Sequence, residues 1–122
     1  MAHLATVRPD GRPHVVPVTF AVAQDGRLLT AVDAKPKKSQ NLQRLRNIGA
    51  QPAVSLLVDA YDEDWSRLWW IRVDGEAIVL DDPATRTSLL PPLIAKYAAY
   101  ADSAPAGPLI VITPRTWTCW AS

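Results

Sequence analysis

Two Asp-Gly turns, Pro9-Asp10-Gly11 and Gln24-Asp25-Gly26, constrain this chain more than any other feature. Asp and Gly are suited to tight reversals, and Gly takes the positive φ that such a turn needs, so each marks a reversal between extended segments. Ahead of the first, the chain alternates through His3, Ala5 and Val7. Between the two, the segment from Pro13 to Ala23 puts Val16, Val18, Phe20 and Val22 on one face and Val15, Pro17, Thr19 and Ala21 on the other. Pro17 has no N–H to donate, which implies an edge, a bulge or a break in pairing there. After the second turn, Arg27 to Val32 makes a third strand. The chain therefore opens as an antiparallel meander.

That meander runs into Asp33-Ala34-Lys35-Pro36-Lys37-Lys38-Ser39-Gln40-Asn41. The spacing of Leu42, Leu45 and Ile48 predicts a short amphipathic helix with Ser39 as its N-cap. Lys35, Lys37 and Lys38 then crowd the positive end of the helix dipole, where each cation costs a few tenths to about 1 kcal/mol. A bound anion reverses that sign, because a helix N-terminus offers free backbone N–H groups to phosphate and the lysines add point charges. A solvated basic loop stiffened by Pro36 is the other reading of the same residues.

Gln51-Pro52 ends the helix, and Ala53 to Asp59 reads as a fourth strand, apolar enough to be buried on both faces. Tyr61 to Arg67 is an acidic loop. The fifth strand, Leu68 to Leu80, sorts Trp69, Ile71, Val73 and Ala77 onto a core face, and Leu68, Trp70, Arg72, Asp74 and Glu76 onto a face that mixes an aromatic with charges, as a cleft or subunit interface does. Asp82-Pro83 and Pro91-Pro92 start two short helices outside the sheet. A Pro/Gly/Ala linker, Ser103 to Pro108, precedes a last strand from Leu109 to Thr113. Six strands with a few short helices predict a mainly β fold, a small closed or half-closed antiparallel barrel forming one domain over residues 1–122.

Composition removes several function classes. With 48% hydrophobic and 20% charged residues nothing suggests disorder, and the longest apolar runs are too short to span a bilayer. Residues 1–50 hold eight basic against three acidic side chains, and residues 51–122 hold five against nine. That polarity suits a small polyanionic ligand better than nucleic acid, which needs a basic face over a whole domain. Cys119 is the single cysteine, and His3 and His14 sit at no ligand spacing, so neither a disulfide, a metal site nor a hydrolytic site is expected. No signal peptide precedes His3, and a reducing, cytoplasmic setting is the simplest reading. No side chain stands out as catalytic. Five tryptophans offer large planar area, with Trp69 expected in the core and Trp65, Trp70, Trp117 and Trp120 at a cleft or dimer contact.

The run Leu4-Ala5-Thr6-Val7-Arg8-Pro9-Asp10-Gly11-Arg12-Pro13-His14-Val15-Val16-Pro17-Val18, followed by Lys35 to Leu42, Asp64 to Trp70 and Arg115-Thr116-Trp117, resembles the flavin/deazaflavin-dependent oxidoreductases. These belong to the split β-barrel superfamily that includes the pyridoxine 5′-phosphate oxidases, and the pattern is nearest to the branch that uses coenzyme F-420. The resemblance implies a homodimer with two cofactor sites at its interface. The backbone around Val16, Pro17 and Val18 would face the ring, and Lys38, Ser39 and Asn41, with Lys35, would hold the phosphate. Trp65 and Trp70 would line the site. Relatives carry a helix before the first strand that is not seen ahead of His3, which would leave one barrel end less covered. The activity implied is F-420-dependent hydride transfer to a small organic substrate. An FMN-dependent enzyme of the pyridoxine phosphate oxidase type and a non-catalytic cofactor-binding protein are the alternatives.

Overall fold

The computed structural model describes residues 1–32 and 38–122, with the backbone alone for residues 38–42. Both expected turns are present, Gly11 and Gly26 taking φ of 88° and 89°. They connect β1 (Ala2–Val7) to β2 (Pro13–Val18), and β3 (Ala21–Val22) to β4 (Leu28–Ala31). The helix α1 (Lys38–Ala50) leads into β5 (Ala53–Ala60), a 3-10 turn (Trp65–Arg67) and β6 (Trp69–Leu80). Three short helices follow, α2 (Pro83–Leu89), α3 (Pro91–Lys96) and α4 (Ala98–Asp102), before β7 (Leu109–Ala121).

The strands form one antiparallel sheet in the order β2-β1-β5-β6-β7-β4-β3. Its two edge strands, β2 and β3, are successive in the chain and separated only by Thr19 and Phe20. The sheet must therefore curl until its ends approach each other, giving a half-closed barrel. The curl encloses Leu4, Val18, Leu28, Leu56, Val73, Ala77, Ile110 and Ile112, with Ile48 of α1 closing over them. Each fully buried Leu or Ile contributes roughly 1.5–3 kcal/mol. Asn47 of α1 donates to Thr6 Oγ1 at 3.0 Å, a buried bond that fixes where the helix lies on β1.

Seven strands stand where six were expected. The expected second strand breaks at Thr19-Phe20, two residues past Pro17, which itself sits in edge strand β2 opposite His3. Side chains from outside the sheet satisfy the backbone at the break. Phe20 N–H donates to Tyr97 Oη (3.1 Å), Phe20 O accepts from Lys96 Nζ (2.7 Å) and Tyr97 Oη (3.1 Å), and Thr19 Oγ1 bonds Tyr100 Oη (2.8 Å). A ladder can stop wherever other groups take over its hydrogen bonds.

The last strand is also longer than expected, taking in Arg115 to Trp120 and pairing with β6 along its whole length. A register shift between Asp74 and Gly75 accommodates the curl. A Cβ at Gly75 would collide with the carbonyl oxygen of Thr113, so this close approach needs glycine. The two expected outer helices are three, and Leu90, Leu93, Ile94, Tyr97 and Tyr100 pack them against Ala21, Leu29, Ala31, Leu109 and Val111 in a second apolar cluster.

Candidate functional site

Strand alternation leaves one part of the sheet's outer surface without a covering element. His3 and Ala5 of β1, Val15 of β2, Ser55, Leu57 and Asp59 of β5, Trp70 and Arg72 of β6 and Trp120 of β7 line a groove of about 710 Å3 there. Its size falls within the range of small-molecule and cofactor sites, ~300–1,000 Å3. Trp70 and Trp120 are register partners, so their indoles stand on adjacent strands on the same face. The Arg72 guanidinium lies 5.7 Å from the Trp70 ring centroid and its Nε 3.2 Å from Asp74 Oδ2.

Polar groups rim this aromatic floor. His3 Nδ1 is 3.9 Å from Asp59 Oδ1, and Ser55 Oγ donates to Asp74 Oδ1. The Ser55 hydroxyl, followed by Arg72, holds the Asp74 carboxyl below the usual carboxylate range. Asp74 thus stays ionised at neutral pH and is unsuited to donate a proton. Flat apolar walls with charged edges suit a planar heteroaromatic ring carrying polar substituents. Among the described residues no group of three or more His, Cys, Asp and Glu side chains is placed to hold a metal ion.

The residues expected at the site divide. Val16 and Val18 turn inward to the core, so β2 shows the outside Val15, 60% exposed, and the exposed Pro17, together with the backbone edge that pairs with no other described strand. Trp70 lines the groove, whereas Trp65, 74% exposed on the 3-10 turn, does not. Lys35 lies outside the described residues, as do the side chains of Lys38, Ser39 and Asn41. The backbone places the last three in the first turn of α1, so Ser39 lies inside the helix and not at its cap. Trp120 and Arg72, expected at a cleft or subunit contact, line this groove, and Val15, to which the sequence assigned no role, joins them. The signal for Trp120 lay in the register of the tail against β6, which aligns Thr116, Thr118 and Trp120 with Asp74, Arg72 and Trp70. Trp69, expected in the core, is instead 39% exposed at the barrel mouth, where it lines a smaller apolar hollow with Phe20, Ile71 and Trp117 and also borders the groove.

A curled antiparallel sheet whose two edge strands nearly meet is the split β-barrel. The sequence matches the pyridoxamine 5′-phosphate oxidase family over residues 1–121, and the chain belongs to that family. Solved structures agree on the fold. A conserved hypothetical protein of Mycobacterium tuberculosis, Rv2991, is similar at 24% identity with a TM-score of 0.71, covering 98% of this chain and 76% of its own. An F-420 reductase is similar at 28% identity with a TM-score of 0.64, covering 96% and 87%. HutZ, a heme storage protein of Vibrio cholerae, is similar at 17% identity with a TM-score of 0.74, covering 98% and 84%. No protein of curated function matches at a significant level. No described helix is long and apolar enough to cross a membrane.

Proposed function

We propose that the chain is one split-barrel domain over residues 1–122 that works as a cytoplasmic homodimer and as an F-420-dependent oxidoreductase. The deazaflavin would sit where the outer groove meets the free edge of β2. The observation that carries this reading is the groove itself, a flat aromatic surface formed by Trp70 and Trp120 and continuous with Val15 of the edge strand. Similarity to an F-420 reductase over 96% of the chain supports the choice of cofactor. In this reading the backbone at Val16, Pro17 and Val18 orients the ring, Lys38, Ser39 and Asn41 with Lys35 hold the phosphate at the start of α1, and Trp70 and Trp65 flank the site. The bound reduced deazaflavin supplies a hydride to a small organic substrate, so the protein need only bind, orient and exclude water.

Exposed apolar residues on the same face support the dimer, since monomers rarely leave so large an apolar patch uncovered. FMN is the second reading, supported by the family match, and a binding protein without turnover is the third, supported by a fold shared with a heme storage protein.

Spectral titration with F-420 and with FMN separates the first two. F-420 should bind more tightly and lose affinity more steeply with salt, because its anionic tail engages the basic half of the chain and exposed charge pairs are screened. Lys38→Ala should weaken binding about tenfold or more without lowering the melting temperature, as expected for a charge-assisted phosphate contact. Tighter FMN binding would move the assignment to FMN. Oxidation of the reduced cofactor only in the presence of a substrate panel would establish the enzyme.

A further inference from the structure

The junction of the β1–β2 hairpin with α1 holds a group of basic side chains that the cofactor groove does not use. Register pairs Thr6 with His14, so both side chains stand on the same face, the one over which Asn47 of α1 bonds Thr6. Arg44 lies three residues before Asn47 and therefore on the same helical face, one turn towards the helix start. It is only 9% exposed. Its Nε has no hydrogen-bond partner among the described residues, and neither does the Nδ1 of half-buried His14. Beside them, Arg8, Pro9, Asp10, Gln43 and Arg46 line a shallow cleft of about 400 Å3 between the turn and the helix.

The charges do not balance. Among the described residues, Arg8 and Arg46 line the cleft with one carboxylate, Asp10, whose Oδ1 already accepts the Arg12 N–H within the turn, and Arg44 lies with Arg8 close to His14. Burial and the nearby Arg8 and Arg44 cations hold the His14 imidazole below its ordinary pKa. A guanidinium withdrawn from water beside a second basic group is unfavourable unless something neutralises it.

We propose that this junction is a binding site for a small oxyanion, a phosphate or carboxylate, held by Arg44, His14 and Arg8. The site is separate from the start of α1, since Arg44 lies six residues beyond Lys38, about 9 Å along the helix axis. Binding couples to proton uptake: the anion favours imidazolium, which turns the orphaned Nδ1 into a donor. Affinity therefore falls as pH rises through the His14 pKa in the anion-bound state. The ligand's source is either the anionic tail of a cofactor in the groove or a free metabolite.

Proton NMR of the intact protein reads this directly, because the chain has only two histidines, His14 and His3, and a His3→Gln variant identifies the His14 signal. Titration with inorganic phosphate, against chloride at equal ionic strength, should raise the His14 pKa. Arg8→Gln, an exposed substitution, should weaken phosphate binding several-fold, and Arg44→Met about tenfold. Arg44→Met should also raise the His14 pKa in chloride by removing a repelling charge. If free triglutamate matches phosphate, carboxylate recognition fits a cofactor tail; if only phosphate binds, a free phosphate-bearing metabolite is the ligand. A His14 pKa that is the same in phosphate and chloride, or phosphate binding undiminished by Arg8→Gln and Arg44→Met, would overturn the site. Neither measurement uses F-420 or FMN, so this site can fail without the cofactor assignment failing.

Discussion

Strands β3, β4 and the first part of β7 carry Leu29, Ala31, Leu109 and Val111 outward beneath α2, α3 and α4. Strands β1, β5 and β6 and the second part of β7 carry Ala5, Leu57, Trp70 and Trp120 outward into an open groove. The residue chemistry of the two faces is similar, and their burial is not. Leu29 and Leu109 are fully buried, while Trp120 is 46% exposed. Strand β7 crosses between the two regimes, buried on both faces from Leu109 to Ile112 and largely exposed from Thr113 onward. The chain therefore covers one side of the sheet with its own helices and leaves the other side open.

The largest effect should come from the covered side. Leu93 of α3 is fully buried, and Leu93→Ala should cost about 2–5 kcal/mol in chemical denaturation, with loss of the cover over Leu29 and Val111. Leu57→Ala, in the open groove, should cost a monomer much less. Equal losses would mean that the groove is as well packed as the helical side, and the contrast would disappear.

Next is the open side. Trp120→Ala should weaken self-association by roughly 2 kcal/mol or more, the scale of a buried aromatic anchor, or about thirtyfold in dissociation constant. Sedimentation at graded concentrations measures this. Leu57→Glu, which puts a charge in the middle of the face, should give a folded monomer. A wild-type chain that is monomeric at every concentration would leave the groove to a ligand alone.

What the sequence made legible follows the range of the interactions involved. The turns at Gly11 and Gly26, the edge position of Pro17 and the two faces of β6 depend on neighbours in sequence, and the structure has them. The break at Thr19-Phe20 depends on Lys96, Tyr97 and Tyr100, far along the chain, and no local pattern reports it. Trp120 was expected at a cleft or dimer contact, but its pairing with Trp70 on one face depends on cross-strand register, which the sequence alone does not report. Alternation put Val16 and Val18 on one face but not which face was the core; the structure turns that face inward, leaving their backbone for the site to which the resemblance assigned them.

A smaller effect tests how the helices are held to the covered side. Tyr97→Phe removes the hydroxyl that both donates to and accepts from Phe20, leaving Lys96 to bond the carbonyl and nothing described to accept the N–H. The cost should be about 1–2 kcal/mol, the penalty for one unsatisfied, partly buried amide. A neutral result would show that water reaches the break.

The smallest effect separates charge from geometry at the start of the helical cover. Asp82 caps α2, its Oδ2 accepting from the Thr85 N–H at 3.0 Å and from the Thr85 hydroxyl at 2.8 Å. These bonds, the backbone one first, hold the Asp82 carboxyl below its usual range. A carboxyl whose pKa is depressed on folding stabilises the fold above the unfolded-state value, about 4, and that contribution is lost as pH falls through the lower folded-state value. Asp82→Asn keeps an acceptor but no titrating charge, so its melting temperature should lie slightly below wild type at neutral pH and converge with it in acid. Asp82→Ala removes the acceptor as well and should stay below Asp82→Asn at every pH. Because the site is exposed, salt should shrink the Asp-to-Asn difference and leave the Asn-to-Ala difference in place. If the two substitutions melt together, Asp82 acts on α2 through its charge alone, and the helices over Leu29 and Leu109 are held by their apolar contacts without help from the cap.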